Sequence, residues 1–377
     1  MTLPVDQLKP NMVLIEPIVT KRGQTIVKAG ETLTPQMIAK LTFYKIESAT
    51  VEDPVVEPEP EPVVETPAEP EPVPPKAPSM VSDQITYTQR LKASPKFQKF
   101  QSDYALNITY LKENLEAICA GADAGISEMM LGNVVTLYQS KTSLELLDML
   151  GNMRNLEDPI YSHSLNVALI ARSLGKWLQF SRQDLDILTV AGLVHDIGKT
   201  QIPESILNKP GKYTDEEFKT MKSHTILGKK ILNDKGFDPR ILYATLQHHE
   251  RCDGSGYPRG LEEDEIDEFA SIIGIADVYD AMTSARAHRD PLCPYQVISE
   301  FEKDGLKKYT AKHVLTFLER IANSYSNSRI MLNNAKTGRV VYINKSTLSR
   351  PVIQLDSGEI INLADSAYND LFIKSIL

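Results

Sequence analysis

Apolar residues recur at helical spacing through most of the chain, from about residue 80 to about residue 325. In the segment that opens at Ser181, for example, Leu185 and Leu188 share one face of the predicted helix. Helix-capping sequences mark the starts of helices in this region, and one of them is the capping box that begins at Thr214. The pattern therefore predicts a mainly α-helical region over residues 80–325.

The two ends of the chain instead carry short runs of β-type residues separated by turn signals. Residues 1–52 hold such runs at 13–15 and 25–27, together with a helical pattern over 35–46, and predict a small α+β module. Residues 326–377 alternate β-type runs with turns and predict a small antiparallel β meander. The expected fold class is therefore mainly α, with small β-rich modules at both ends.

Residues 53–79 differ from both neighbouring regions. They contain ten prolines and six glutamates in 27 residues, with no aromatic side chain. Such a segment buries too little apolar area to offset the entropy of ordering, and its prolines favour an extended backbone. We interpret it as a linker between the N-terminal module and the helical region.

The charge balance bears on the kind of binding partner, and the cysteine content bears on the cellular compartment. Outside residues 53–79, 43 acidic side chains face 40 basic ones, a balance that argues against duplex nucleic acid as a partner. Only three cysteines occur and none forms a CxxC pair, which indicates a reducing compartment. No signal-peptide pattern and no run of eighteen apolar residues is present. These features predict a cytoplasmic protein without membrane insertion.

Five histidines and two aspartates lie within or at the ends of apolar helical segments. They are His163, His195, Asp196, His224, His248, His249 and Asp277. A single such histidine is most often a hydrogen-bonded core residue. Seven buried polar groups would each need a separate partner, whereas one shared metal cluster accounts for all of them. Imidazole and carboxylate ligands without thiolate suit Fe, Mn, Ni or Zn.

Two motifs within this histidine pattern resemble the signatures of a known family. VHDIGK at 194–199 and HHERCDGSGYPRGL at 248–261 are similar to those of the HD-GYP family, the bacterial branch of the HD phosphohydrolase superfamily that degrades cyclic di-GMP. Further matches lie at 162–171, 202–218 and 275–289, in the family order. The resemblance covers about residues 140–320 and implies an all-helical HD-GYP domain between the two β-rich modules.

The resemblance also implies two divalent metal ions, most readily Fe or Mn, and assigns ligands to each. One ion would be held by His163, His195, Asp196 and Asp277, and the other by His224, His248 and His249, with Asp196 bridging. A water shared by two such ions becomes hydroxide near neutral pH and can attack phosphorus. Family members with a third metal carry a glutamate four residues before the first histidine, where this chain has Pro159. We therefore expect two ions.

Four further residues are candidates for contacts with the substrate. Lys199 lies one turn beyond His195 and is expected to face phosphate oxygens, although a lysine at a helix C-terminus is the alternative. Tyr257 is a candidate for stacking on or hydrogen bonding to guanine, and the family implicates its loop in contacts with diguanylate cyclases. A loop that only shields the cluster is the alternative. Arg286 and Arg289 are expected to bind phosphate or guanine edges, unless they are merely solvated.

The predicted function is a phosphodiesterase that linearises cyclic di-GMP to pGpG, with GMP as a further product left open. The catalytic residues would be Asp196 and Lys199. One alternative keeps this chemistry and changes the substrate to another cyclic dinucleotide. A second is a signalling effector that binds the nucleotide without turnover. Homodimer formation is left open.

Overall fold

The computed structural model describes residues 2–8, 12–19, 25–33, 37, 41, 46, 48–52, 91–138, 141–153, 159–284 and 292–377. The chain forms two compact units, one of residues 1–86 with 357–360 and the other of residues 87–356 with 361–377. The predicted linker at 53–79 lies outside the described residues. The predicted domain boundaries at residues 80 and 326 stay predictions.

The N-terminal unit contains two short antiparallel strand pairs. Strand β1 (Thr2–Pro4) pairs with β4 (Ser48–Thr50), and β2 (Ile18–Val19) pairs with β3 (Thr25–Val27). The strand predicted at 25–27 is confirmed. The one predicted at 13–15 is wrong, because Val13 and Leu14 form only isolated bridges to separate partners. Most of the helix predicted over 35–46 lies outside the described residues.

The larger unit holds twelve α-helices among its described residues. They are α1 (Pro95–Ala120), α2 (Ile126–Tyr138), α3 (Ser143–Asn152), α4 (Pro159–Trp177), α5 (Arg182–Val194), α6 (Glu204–Leu207), α7 (Asp215–Lys222), α8 (His224–Leu232), α9 (Pro239–Gln247), α10 (Glu268–Thr283), α11 (Pro294–Lys308) and α12 (Ala311–Ser324). The start of α5 is as predicted, since Ser181 accepts a hydrogen bond from the backbone of Asp184. Thr214 and Glu217 form the predicted capping box of α7.

Two glycines allow the helices that carry the histidines to approach closely. A Cβ on Gly198 would lie 1.9 Å from the carbonyl oxygen of His224, at the start of α8. A Cβ on Gly274, in α10, would lie 2.6 Å from the carbonyl oxygen of His248, where α9 ends. Any larger residue would force these backbones apart. Glycine at both positions therefore lets the segment after α5 approach α8, and lets α10 approach the end of α9.

A five-stranded sheet follows the helices, with the strand order β8-β7-β6-β5-β9. Its strands are β5 (Arg329–Leu332), β6 (Thr337–Tyr342), β7 (Val352–Leu355), β8 (Ile360–Asn362) and β9 (Ile373–Ile376). The apolar side chains of this sheet belong to the same core as those of the helices. The predicted mainly α fold with small β-rich ends is confirmed. Strands β5 and β9 were not among the predicted runs. Among the described residues, no helix has both the length and the apolar character needed to cross a bilayer.

Candidate metal centre

Five segments of the larger unit bring the seven predicted ligands together. Helix α4 presents His163 and α10 presents Asp277. His195 and Asp196 directly follow α5, and His248 and His249 directly follow α9, while His224 begins α8. The side chains of His195, Asp196, His224 and His248 are all buried.

The carboxylate of Asp196 lies at the middle of this cluster. Its Oδ1 atom lies 3.3 Å from His224 Nε2 and 3.8 Å from His248 Nε2. Its Oδ2 atom lies 3.4 Å from His195 Nε2 and 3.7 Å from His163 Nε2. One carboxylate therefore faces histidines on both sides, which is the geometry that a bridging ligand needs.

The other donor atoms separate into two groups around Asp196. One group contains His163, His195 and Asp277, and the other contains His224, His248 and His249. Within each group the possible ligand atoms lie within 4.8 Å of one another. This division is the one that the family resemblance assigned to two ions.

Backbone carbonyls fix the tautomers of three of these histidines. The Nδ1 atoms lie 2.8 Å from Gly192 O for His195, 2.7 Å from Met221 O for His224, and 3.0 Å from Thr245 O for His248. Because a carbonyl oxygen only accepts, each Nδ1 must carry the proton. Burial lowers the pKa of all three imidazoles, so they are neutral and each Nε2 presents a lone pair to the cluster.

These three imidazoles and the carboxylate of Asp196 therefore offer acceptor atoms but no protons to one another. His195 Nε2 and Asp196 Oδ1 are buried without a hydrogen-bond partner among the described residues. The Nε2 atoms of His224 and His248 face each other at 3.4 Å. Buried lone pairs in this arrangement are unfavourable unless a cation lies between them. Neutral imidazoles and carboxylates fit divalent transition metals, so the residues present suit a metal centre.

His163 is oriented differently, by a carboxylate that sequence reasoning missed. Its Nδ1 lies 2.7 Å from Asp280 Oδ2, while its Nε2 lies 3.1 Å from Asp277 Oδ1. Burial lowers the pKa of His163, but the hydrogen bonds to Asp277 and Asp280 raise it overall to about 10. The only sequence signal for Asp280 is its position on α10, three residues after Asp277.

Lys199 contacts the central carboxylate directly. Its Nζ lies 2.5 Å from Asp196 Oδ2, and its side chain is 23% exposed where the cluster meets solvent. Burial alone would raise the pKa of Asp196, but the positive charges of Lys199 and His163 hold it well below its usual range. Asp196 is therefore ionised, with a positive charge beside it at the open side of the site.

A cavity of about 640 Å³ opens onto the cluster. Its walls include Lys199, His249 and Tyr257, which the sequence singled out, and Tyr213 and Met221, which it did not. A volume in this range is typical of sites for small organic ligands. Arg286 and Arg289 lie outside the described residues, so their predicted contacts are not tested.

The glycine-rich loop after α9 covers one side of the cluster. The Tyr257 ring stacks on His249, with centroids 4.7 Å apart and planes at 30°. The buried carboxylate of Glu250 accepts hydrogen bonds from the backbone of Arg259 at 2.7 Å and Leu261 at 3.0 Å. Glu250 was also missed from the sequence. It ties the loop to the end of α9 and so keeps Tyr257 against His249.

Comparisons with known proteins agree with this description. Residues 146–312 match the HD domain family. The chain is 39% identical to a cyclic di-GMP phosphodiesterase of Thermotoga maritima, over 47% of this chain and 48% of that protein. It is also 39% identical to 3'3'-cGAMP-specific phosphodiesterase 1 of Vibrio cholerae, over 37% of this chain and 32% of that protein. The chain thus spans about half or less of these relatives' lengths.

Among solved structures, the chain is similar to Bd1817, a HDG"Y"P protein from Bdellovibrio bacteriovorus. The TM-score is 0.48 at 16% identity, over 85% of this chain and 99% of that one. The match to the HD domain family covers residues 146–312, which is less than half of the chain. The more specific resemblance to HD-GYP phosphodiesterases, stated above from the motifs, is confirmed.

Proposed function

We propose that this chain is a metal-dependent phosphodiesterase that hydrolyses cyclic di-GMP to pGpG. The observation that carries the proposal is the buried cluster of histidines and aspartates, in which His195 Nε2 and Asp196 Oδ1 lack hydrogen-bond partners among the described residues and which opens beside Lys199 onto a cavity large enough for a small ligand. The 39% identity to the cyclic di-GMP phosphodiesterase of Thermotoga maritima, over 178 residues, supports the substrate class.

The seven clustered residues would hold two divalent ions, Fe or Mn, with Asp196 shared between them. Such ions, when bound, neutralise phosphate charge and make a coordinated water acidic enough to ionise near neutral pH. The protein itself fixes the ligands, since backbone carbonyls and Asp280 orient the imidazole rings. Buried, pre-oriented ligands bind metal without further ordering of side chains.

Lys199 and the cavity walls would bind the substrate. The ammonium of Lys199 lies beside Asp196 at the open side of the cluster, where it would donate to a non-bridging phosphate oxygen. The rings of Tyr213 and Tyr257 line the same cavity and offer apolar surface to a purine. Arg286 and Arg289 remain candidates for phosphate or guanine contacts.

A second candidate substrate is a mixed cyclic dinucleotide. The similarity to 3'3'-cGAMP-specific phosphodiesterase 1 favours this alternative, because that relative shares the same percentage identity with the chain. A non-catalytic effector is less consistent with a full set of ligands and Lys199. GMP as a further product, docking of a diguanylate cyclase on the loop, a homodimer and a cytoplasmic location all stay predictions.

The test is product analysis on protein of known metal content. The chain is loaded with Fe(II) or Mn(II) under anaerobic, reducing conditions and incubated with cyclic di-GMP or 3'3'-cGAMP in parallel. We expect metal-dependent formation of pGpG that a chelator abolishes. Faster turnover of 3'3'-cGAMP would change the substrate assignment. Nucleotide binding without turnover by the loaded protein would make the chain an effector.

A further inference from the structure

A tyrosine outside the residues that match the HD domain family contacts the helix that carries the candidate ligand His163. Tyr104 lies on α1, ahead of residues 146–312, and its side chain is completely buried. Its hydroxyl lies 2.6 Å from Asn166 Oδ1 and 3.2 Å from the carbonyl oxygen of Ser162. Both partners lie on α4 and flank His163 in the sequence.

From Asn166 the hydrogen bonds continue to a candidate metal ligand. Asn166 Nδ2 donates to Asp280 Oδ1 at 2.8 Å, and Ser284 Oγ donates to the same oxygen at 2.9 Å. Asp280 Oδ2 accepts from His163 Nδ1 at 2.7 Å. A continuous series of buried hydrogen bonds thus links the hydroxyl of Tyr104 to the imidazole of His163.

In this series of hydrogen bonds, the Tyr104 hydroxyl fixes the orientation of the Asn166 carboxamide. A carboxamide can be turned by 180°, which exchanges its oxygen and nitrogen. Burial and the charge of Asp280 raise the pKa of Tyr104, so the hydroxyl stays protonated and donates. Donation to Oδ1 keeps the Nδ2 of Asn166 towards Asp280. In the reversed orientation, the amide oxygen would face the carboxylate as a second acceptor.

We propose that Tyr104 is a positioning residue that, through Asn166 and Asp280, holds His163 in the orientation needed to bind metal. The proposal rests on the proposed function. Partners behind a metal-bound histidine set its tautomer and ring orientation, and their loss weakens metal binding. Helix α1 therefore belongs to the functional unit, although it precedes the matched domain.

A matched control is available on the neighbouring helix α2, which also contacts α4. Tyr138 is also a buried tyrosine, and its hydroxyl bonds to Leu169 O and Ser173 Oγ on α4, away from the cluster. Tyr104→Phe and Tyr138→Phe each remove one buried hydroxyl that contacts α4. A purely structural role predicts the same behaviour for both variants.

The experiment measures metal retention on the full chain. Fe(II)- or Mn(II)-loaded wild type, Tyr104→Phe and Tyr138→Phe are titrated anaerobically with a chelator, and the remaining metal is counted per chain. We expect both variants to have lower melting temperatures, but only Tyr104→Phe to release one ion at roughly 10-fold lower chelator concentration. The second ion, held by His224, His248 and His249, should be retained as in wild type.

A double-mutant comparison tests the route of the effect. In an Asn166→Ala background, Tyr104→Phe should cause no further loss of metal, because the link to Asp280 is already broken. Equal retention in Tyr104→Phe and Tyr138→Phe, or additive losses in the double variant, would overturn the proposal. Wild-type protein that holds no metal would instead overturn the proposed function.

Discussion

Four of the five histidines of the candidate centre are oriented in two different ways. His195, His224 and His248 donate through Nδ1 to backbone carbonyls three or four residues earlier in the chain. His163 donates instead to the side chain of Asp280, 117 residues away in sequence. Three rings are thus fixed by their own local segment, and one is fixed by tertiary packing.

The local arrangement follows from how helices end. The accepting carbonyls belong to the last turns of α5, α7 and α9, where backbone oxygens lack intrahelical partners. A histidine just after such a turn satisfies one of these carbonyls and turns Nε2 away from it. The C-terminal ends of these helices also carry partial negative charge, which favours a cation nearby. Local helix ends therefore orient three of the seven candidate ligands.

The largest effect on metal content and hydrolysis is expected from substitution of Asp196, which lies close to histidines of both kinds. Asp196→Ala should remove both ions and reduce hydrolysis to the uncatalysed background, because this carboxylate faces both ligand groups. Metal content per chain and product formation measure the change. Asp196→Asn keeps the shape of the side chain and serves as the check on folding. One full equivalent of metal retained by both variants would contradict the bridging assignment.

Substitution of Lys199 is expected to lower turnover without removing the metal ions. Lys199→Ala should leave the metal content nearly intact while turnover falls roughly 100-fold, as for other donors to a developing transition-state charge. Lys209→Ala is a suitable control, since Lys209 also forms a close ion pair, with Glu217, but does not line the cavity. Parallel loss of metal and activity in Lys199→Ala would mean that the residue is structural.

The smallest effect concerns the histidine that depends on tertiary packing. Asp280→Ala should weaken binding of one ion by roughly 10- to 100-fold and leave the other in place. Asp280→Asn, which keeps one oxygen for His163 Nδ1, should give an intermediate result. Metal titrations of the two variants measure the difference. Identical affinities for both ions in wild type and Asp280→Ala would show that His163 needs no support from Asp280.

The same contrast explains what the sequence could predict. His195 and His248 end apolar helical runs, so the pattern of hydrophobic positions marked them together with their motifs. Asp280, Glu250 and Tyr104 act through hydrogen bonds to residues distant in sequence or to loop backbone, and the only spacing signal among them is that Asp280 follows Asp277 by three residues. Strand β9 was missed for a similar reason, because it returns to pair with β5 across the rest of the sheet.

The number of bound ions tests the account most directly. Pro159 lines the cavity at the start of α4 and offers no side-chain ligand, whereas the seven clustered residues divide into two groups around Asp196. Anaerobic metal analysis of the loaded chain, together with anomalous scattering from crystals, should therefore give two ions per chain, one in each group. A single ion, or a third fully occupied position beside Pro159, would contradict it.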